Sequence, residues 1–219
     1  MRCSYEKIAH RRHVTILLAA VLAAFAGPAA RAASVSYFME QNNAGLPVAN
    51  YLQVTISDGL NGDIDFRVET LPAFSALNPG TNFGLQSFGF NFDSNLVTVT
   101  KNNIANLDPA TWKVNLSMTL DGYGEFDIVP KGTGSDRTPL LLFSVVNVEG
   151  DTPLTYASVL SGNNAGGGSQ LFASHVAGFD YNGTTSAFFA GSTAVPLPAA
   201  AWLLLSGVTL LRPAGRRAC

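Results

Sequence analysis

The 219-residue chain carries 13 basic and 15 acidic side chains, for a net charge of −2 at pH 7, but that charge is unevenly placed. The stretch 33–193 holds five of the basic and 14 of the acidic residues, leaving it near −9, which argues against a nucleic-acid partner. Both cysteines, Cys3 and Cys219, lie outside that stretch, which excludes a disulfide or cysteine catalysis within it.

The chain opens like a secretion signal. Arg2, Lys7, Arg11 and Arg12 form a basic start, residues 14–27 are apolar but too short to span a bilayer, and Ala30-Arg31-Ala32 is a small-x-small cleavage pattern. Residues 1–32 are therefore read as a signal peptide with a helical apolar segment, and the mature chain as starting at Ala33. His10 and His13 flank Arg11-Arg12 and fit ordinary secretion better than a twin-arginine signal.

The body, 33–193, is long enough for one domain with a real core. Its hydrophobic pattern has period two nearly throughout. Residues 35–38 form a first strand. In 51–57, Leu52, Val54 and Ile56 point one way and Gln53 and Thr55 the other. Residues 58–62 are turn material, and in 63–70 Ile64, Phe66 and Val68 face inward while Asp63, Asp65, Arg67 and Glu69 face out. Together these make a hairpin with one wet face. Residues 72–82 read as a loop around Pro79-Gly80. Phe88, Phe90 and Phe92 then alternate with small and polar residues, and 96–100 is a further strand with Val97 and Val99 on one side.

Trp112, Val114, Leu116, Met118 and Leu120 alternate with polar residues, and 123–129 is a shorter strand candidate. The run 139–148 is almost continuously apolar through Leu140-Leu-Leu-Phe-Ser-Val-Val146, as expected of a strand buried on both faces. Residues 154–160 fit a strand or a short helix equally. Residues 162–169 form a Gly-rich loop, and 171–176 and 186–189 are the last strands. The expectation is an all-β body of nine or ten strands, a β-sandwich of jelly-roll or immunoglobulin-like type. There is no repeat at a fixed period.

Several groups could carry chemistry. Asp58, Asn61, Asp63 and Asp65 place oxygen ligands at short spacing, as Ca²⁺ requires, but without the ladder or distal Glu of an EF-hand. A polar hairpin turn is the favoured reading there, so no metal or other cofactor is expected. His175 is the one histidine of the body and lies in an alternating strand, with no G-x-S-x-G elbow to supply a nucleophile. One histidine and no body cysteine also argue against zinc. Glu125 and Asp127 share a strand face, but a glycosidase pair must flank a cleft. No phosphate loop or dinucleotide fingerprint occurs. Most aromatics occupy core-type positions. A few of them, with Tyr37, Tyr51, Tyr123 and Tyr181, are the candidates for a sugar-stacking platform, core packing being the favoured reading for most.

The chain closes, over 194–219, on a short proline motif, an apolar segment and a basic end: Val195-Pro196-Leu197-Pro198-Ala199, an apolar run to Leu211, then Arg212, Arg216 and Arg217. Pro196 and Pro198 suit a helix start, Trp202 a membrane interface, and the arginines the cytoplasmic side. The apolar run is 13 residues from Ala199, or 18 counted back to Ala194 with its two prolines, short of the ~20 a spanning helix needs, which suits a temporary transmembrane anchor.

This tripartite end, with the secretion signal and the Gly/Ser/Asn-rich β body, resembles the PEP-CTERM proteins of Gram-negative bacteria, in the subclass with a VPLPA motif. The resemblance covers about 25 residues and the general architecture. It implies recognition by an exosortase, cleavage near Val195–Ala199, and delivery to the cell surface or extracellular matrix, in association with exopolysaccharide and biofilm. The expectation is a non-enzymatic surface protein. A carbohydrate-binding module acting on exopolysaccharide, with or without Ca²⁺, is the alternative.

Overall fold

A computed structural model describes residues 33–162 and 166–195. The expected signal helix within 1–32 and the transmembrane helix after the proline motif lie outside the described residues. Among the described residues no helix is long and apolar enough to cross a membrane.

The described chain is mostly β. In order the strands are β1 (Ser34–Met39), β2 (Gln41–Asn42), β3 (Leu52–Asp58), β4 (Ile64–Thr70), β5 (Gly84–Phe90), β6 (Ile104–Asp108), β7 (Lys113–Leu120), β8 (Gly124–Lys131), β9 (Leu140–Val145), β10 (Phe172–Tyr181), β11 (Thr184–Gly191) and β12 (Thr193–Ala194). They form two six-stranded sheets with all pairings antiparallel. The first runs β12-β1-β3-β4-β9-β6 and the second β2-β11-β10-β5-β8-β7.

The hairpin β3–β4 follows the alternation read from the sequence. Leu52, Val54, Ile56, Ile64, Phe66 and Val68 are buried while Asp65 and Arg67 are exposed. Phe66 is the hub of the core. It stacks on Phe143 of β9 in its own sheet, with centroids 4.5 Å apart and planes 13° apart. It also meets Phe90 (4.7 Å) and Phe88 (6.5 Å) of β5 in the second sheet. Tyr37 of β1 and Phe172 of β10 make a further contact between the sheets at 5.5 Å. The inner faces of both sheets thus feed one hydrophobic cluster. Burying such rings is worth ~1.5–3 kcal/mol each, with ~0.5–1.5 kcal/mol more per well-placed aromatic pair.

Several sequence expectations need correction. Residues 96–100 form no strand, although Val97 and Val99 are buried. The Asp93 carbonyl accepts from the amides of Leu96 (3.0 Å) and Val97 (3.1 Å), and its carboxylate from Asn95. The chain therefore turns there, and Thr100 with Asn103 then caps a 3-10 turn, Lys101–Asn103. The edge position beside β9 is taken instead by β6, from an unremarkable polar stretch. Its register breaks between Ala105 and Asp108, where Asn106 has φ 56°.

Of the two readings for residues 154–160, the short helix holds in part, as a 3-10 helix that covers only the first residues. Pro153–Tyr156 is a 3-10 turn capped by Thr152 and Thr155. Phe92 lies beyond the end of β5, and the 72–82 loop contains a 3-10 segment, Pro72–Leu77, that buries Phe74 and Leu77. On β7 the alternation is only half expressed. Trp112 and Leu120 are buried at its two ends, but Leu116 is 42% exposed, because β7 is the sheet's outermost strand. In 139–148, Phe143 and Val145 are buried but Leu140 and Leu142 are only half-buried.

The outer face of the second sheet carries its own apolar cluster. Leu120, Tyr123, Phe126, Val129, Ala173 and Ala190 are buried there. Gly89 makes this possible. A Cβ at that position would sit 2.8 Å from both Leu120 Cδ1 and Phe126 Cγ, so those side chains lie directly across the bare backbone. Part of the cluster is roofed by the chain around Ser161 and Gln170. Ser161 Oγ donates to the Tyr123 carbonyl (2.5 Å), and Gly167 N donates to the Gly122 carbonyl (2.8 Å).

Candidate functional site

The acidic turn was the first sequence candidate. Between β3 and β4 the chain makes a 3-10 turn, Leu60–Gly62, in which Asn61 (φ 59°) and Gly62 (φ 84°) adopt the left-handed conformation that Asn and Gly tolerate best. Gly59 N donates to the Asp63 carbonyl at 2.8 Å and closes the turn. The four candidate ligands are sent three ways. Asp58 turns to the start of β1, its Oδ2 accepting from Ala33 N at 2.6 Å while its own amide donates to the Ala33 carbonyl at 2.9 Å. Asp65 Oδ1 accepts from Ser144 Oγ of β9 at 2.7 Å. Asn61 and Asp63 line an open concavity of about 530 Å³ with Asn147 and Glu149.

Among the described residues no group of three or more His, Cys, Asp or Glu side chains is placed to hold a metal ion. The local field is felt by Asp151. Burial pushes its carboxyl up, the hydroxyl of Tyr156 (2.6 Å) and a backbone hydrogen bond pull it down, and the charges of Asp63 and Asp58 push it up again.

His175 lies in β10, opposite Ser87 of β5 and Phe188 of β11, with its ring stacked on Phe188 at 4.6 Å. Burial holds its pKa below the ordinary value, and the charges of Arg137 and Lys131 push the same way. The imidazole is therefore favoured neutral and packed on a ring, which is a structural setting. Glu125 and Asp127 are both half-buried on β8. Asp127 Oδ2 accepts from Phe92 N (3.4 Å), and its amide donates to Asn91 Oδ1 (2.8 Å), so it ties β8 to the end of β5. The Glu125 backbone exchanges two hydrogen bonds with Gly162, at 2.7 and 3.3 Å.

The tyrosine platform does not form. Tyr51 and Tyr123 are 1% and 2% exposed, and Tyr51 Oη donates to the Pro47 carbonyl at 2.6 Å. Burial pushes the Tyr123 hydroxyl up to about 12. Tyr37 and Tyr181 are half-buried against the core. None of the described aromatic side chains is fully exposed. Period-two spacing could not separate these positions: Tyr51 and Tyr123 sit just before β3 and β8, outside the alternation, and Tyr181 lies at the end of β10.

What sequence reasoning missed is a row of residues across the outer face of the second sheet. Directly opposite pairs run Lys113 (β7), Lys131 (β8), Ser87 (β5), His175 (β10) and Phe188 (β11). Arg137 stands close enough to lower the His175 pKa alongside Lys131, and its Nη1 donates to the Asn82 carbonyl at 3.1 Å. Three of the five basic residues of the body therefore meet here. They are far apart along the chain, and only strand pairing brings them together.

Of the sorting residues, Val195 is described. Its N–H donates to the Ser36 carbonyl at 2.8 Å, one residue beyond the β12 pairing of Ala194 with Tyr37. Pro196, Leu197, Pro198, Ala199, Arg212, Arg216, Arg217, Ala30 and Ala32 lie outside the described residues. No family model, no curated protein and no solved structure matches this chain.

Proposed function

We propose that this is a secreted, non-enzymatic β-sandwich protein, sorted by its C-terminal signal through an exosortase to the surface or extracellular matrix of a Gram-negative bacterium. The tail serves as a transient membrane anchor, and the body works in association with exopolysaccharide and biofilm. The observation that carries this reading is the tripartite end, Val195 to Arg217. The shared core of the two sheets favours the sandwich, with jelly-roll and immunoglobulin-like arrangements as its two candidate topologies.

Both processing points fit the described body. Val195 makes a ladder hydrogen bond, and Pro196 after it has no N–H to offer. The proline motif thus begins where the sheet's edge is running out. Cleavage after Ala32 would turn Ala33 N into an ammonium facing the Asp58 carboxylate at 2.6 Å, a favourable pairing for a new terminus. Replacing residues 195–219 with a neutral sequence should leave the protein exported but no longer delivered to the surface. Unchanged surface delivery would overturn the sorting claim.

The alternative, a carbohydrate-binding module, is favoured by one observation: the cationic row on the second sheet. Its Ca²⁺-assisted form, through Asp58, Asn61, Asp63 and Asp65, predicts a thermal shift on adding calcium that chelator reverses. No shift would remove the Ca²⁺ component.

A further inference from the structure

We propose that the outer face of the second sheet, along Lys113, Lys131, Ser87, His175 and Phe188 with Arg137 beside them, binds a linear carboxylate-bearing glycan. The charge argument comes first. A body near −9 has five basic side chains, and three of them gather on this one face. Even with the Asp136 carboxylate held nearby on Thr111, three cations gathered on an otherwise anionic molecule favour an anionic partner here over a cationic one.

Geometry then selects an extended chain over a single ion. The row crosses five neighbouring strands, and at ~4.8 Å per strand it is about 19 Å long. Its two lysines, Lys113 and Lys131, are directly opposite on neighbouring strands at one end of that line, with Arg137 beside them, so neighbouring carboxylates of a polymer would meet them while its uncharged parts run on over Ser87, His175 and Phe188. Access is open at one end, where Lys113 is exposed, and partial at Lys131, His175 and Phe188, while Ser87 between them is buried and forms the floor of the row.

Chemistry selects a sugar over an acidic polypeptide. The row ends on the flat surface of Phe188 stacked on His175 at 4.6 Å, and half-buried rings of this kind offer a face to a sugar ring. The half-buried Arg137 has its Nη1 already engaged by the Asn82 carbonyl at 3.1 Å and its Nε buried, so it contributes charge beside the row rather than a free donor. The apolar row two residues further along, Ala190, Ala173 and Gly89, is filled by Leu120 and Phe126 and forms a wall beside the site. This inference rests on the surface-or-matrix reading only for where the glycan is met.

The test is equilibrium binding of the full chain, in mild detergent at low salt, to polygalacturonate, to neutral dextran and to polyglutamate. Polygalacturonate should bind best, with affinity falling as salt rises. Lys131→Glu should weaken binding roughly fivefold or more, while Lys101→Glu, an equal charge change at an exposed site elsewhere, should leave it unchanged. If Lys131→Glu lowers the melting temperature, the exposed Lys113→Glu replaces it, with the same expectation. Equal binding of dextran, equal or better binding of polyglutamate, or equal losses at Lys131 and Lys101 would each overturn the proposal. So would no binding of polygalacturonate. All of these readouts are independent of whether the tail directs sorting.

Discussion

Phe66→Ala tests the shared core directly. The ring is 2% exposed and touches Phe143, Phe90, Tyr156 and Phe88 at centroid distances of 4.5, 4.7, 5.7 and 6.5 Å. Two of these partners lie in the opposite sheet, so truncation opens a cavity between the sheets. The neighbours are themselves large rings held by their own packing and cannot collapse into it. Phe→Ala in a core costs about 3–5 kcal/mol, and the lost aromatic pairs place this site at the upper end. Against a total stability of ~5–15 kcal/mol that is a large fraction. For a domain of this size it corresponds to a drop in melting temperature of roughly 10–20 °C. Urea unfolding followed by tryptophan fluorescence and far-UV circular dichroism gives the free energy. Leu116→Ala, at 42% exposure on the edge strand β7, is the comparison and should cost under ~1 kcal/mol. If Phe66→Ala costs no more than Leu116→Ala, the two sheets do not share the core described.

Three further outcomes follow from particular residues. Gly89→Val places side-chain atoms against Leu120 and Phe126, already 2.8 Å from a Cβ there, and should lower unfolding free energy by about 1–3 kcal/mol in chemical denaturation. Tyr123 has an ordinary pKa of 10 and a folded value of about 12. The stability from keeping it neutral is intact below pH 10 and is lost as pH rises toward 12, by ~1 kcal/mol after solvent screening. A stability–pH curve flat from pH 9 to 12 would contradict this. In processed protein, Asp58→Asn should bring the Ala33 ammonium pKa down toward its ordinary 7.7–8.0, measured by NMR titration, with little change in stability.

The sequence was most readable where one physical requirement governed each residue. In β3–β4 every second residue faces the core and the others face water, so alternation alone placed Leu52 to Val68. It was misleading where burial and pairing separate. Val97 and Val99 are buried like strand residues, yet Asp93 turns the chain and leaves them without a ladder. It was silent at β6, whose half-buried Ile104 and Leu107 are set among Asn and Asp and whose place depends on the free edge of β9.

The candidate sites divide the same way. The turn at Asp58–Asp65 was legible as a turn, but where each carboxylate points depends on Ala33 and Ser144, which are distant in sequence. The row from Lys113 to Phe188 had no local signature, because it is built by the register of five strands.

The proposed release of the body from two disposable ends is read most plainly in the intact mass of the protein recovered from the cell exterior. The expected species starts at Ala33 and ends within or just before the Val195–Ala199 motif. Recovery outside the cell of a chain still carrying Arg212, Arg216 and Arg217 would contradict it.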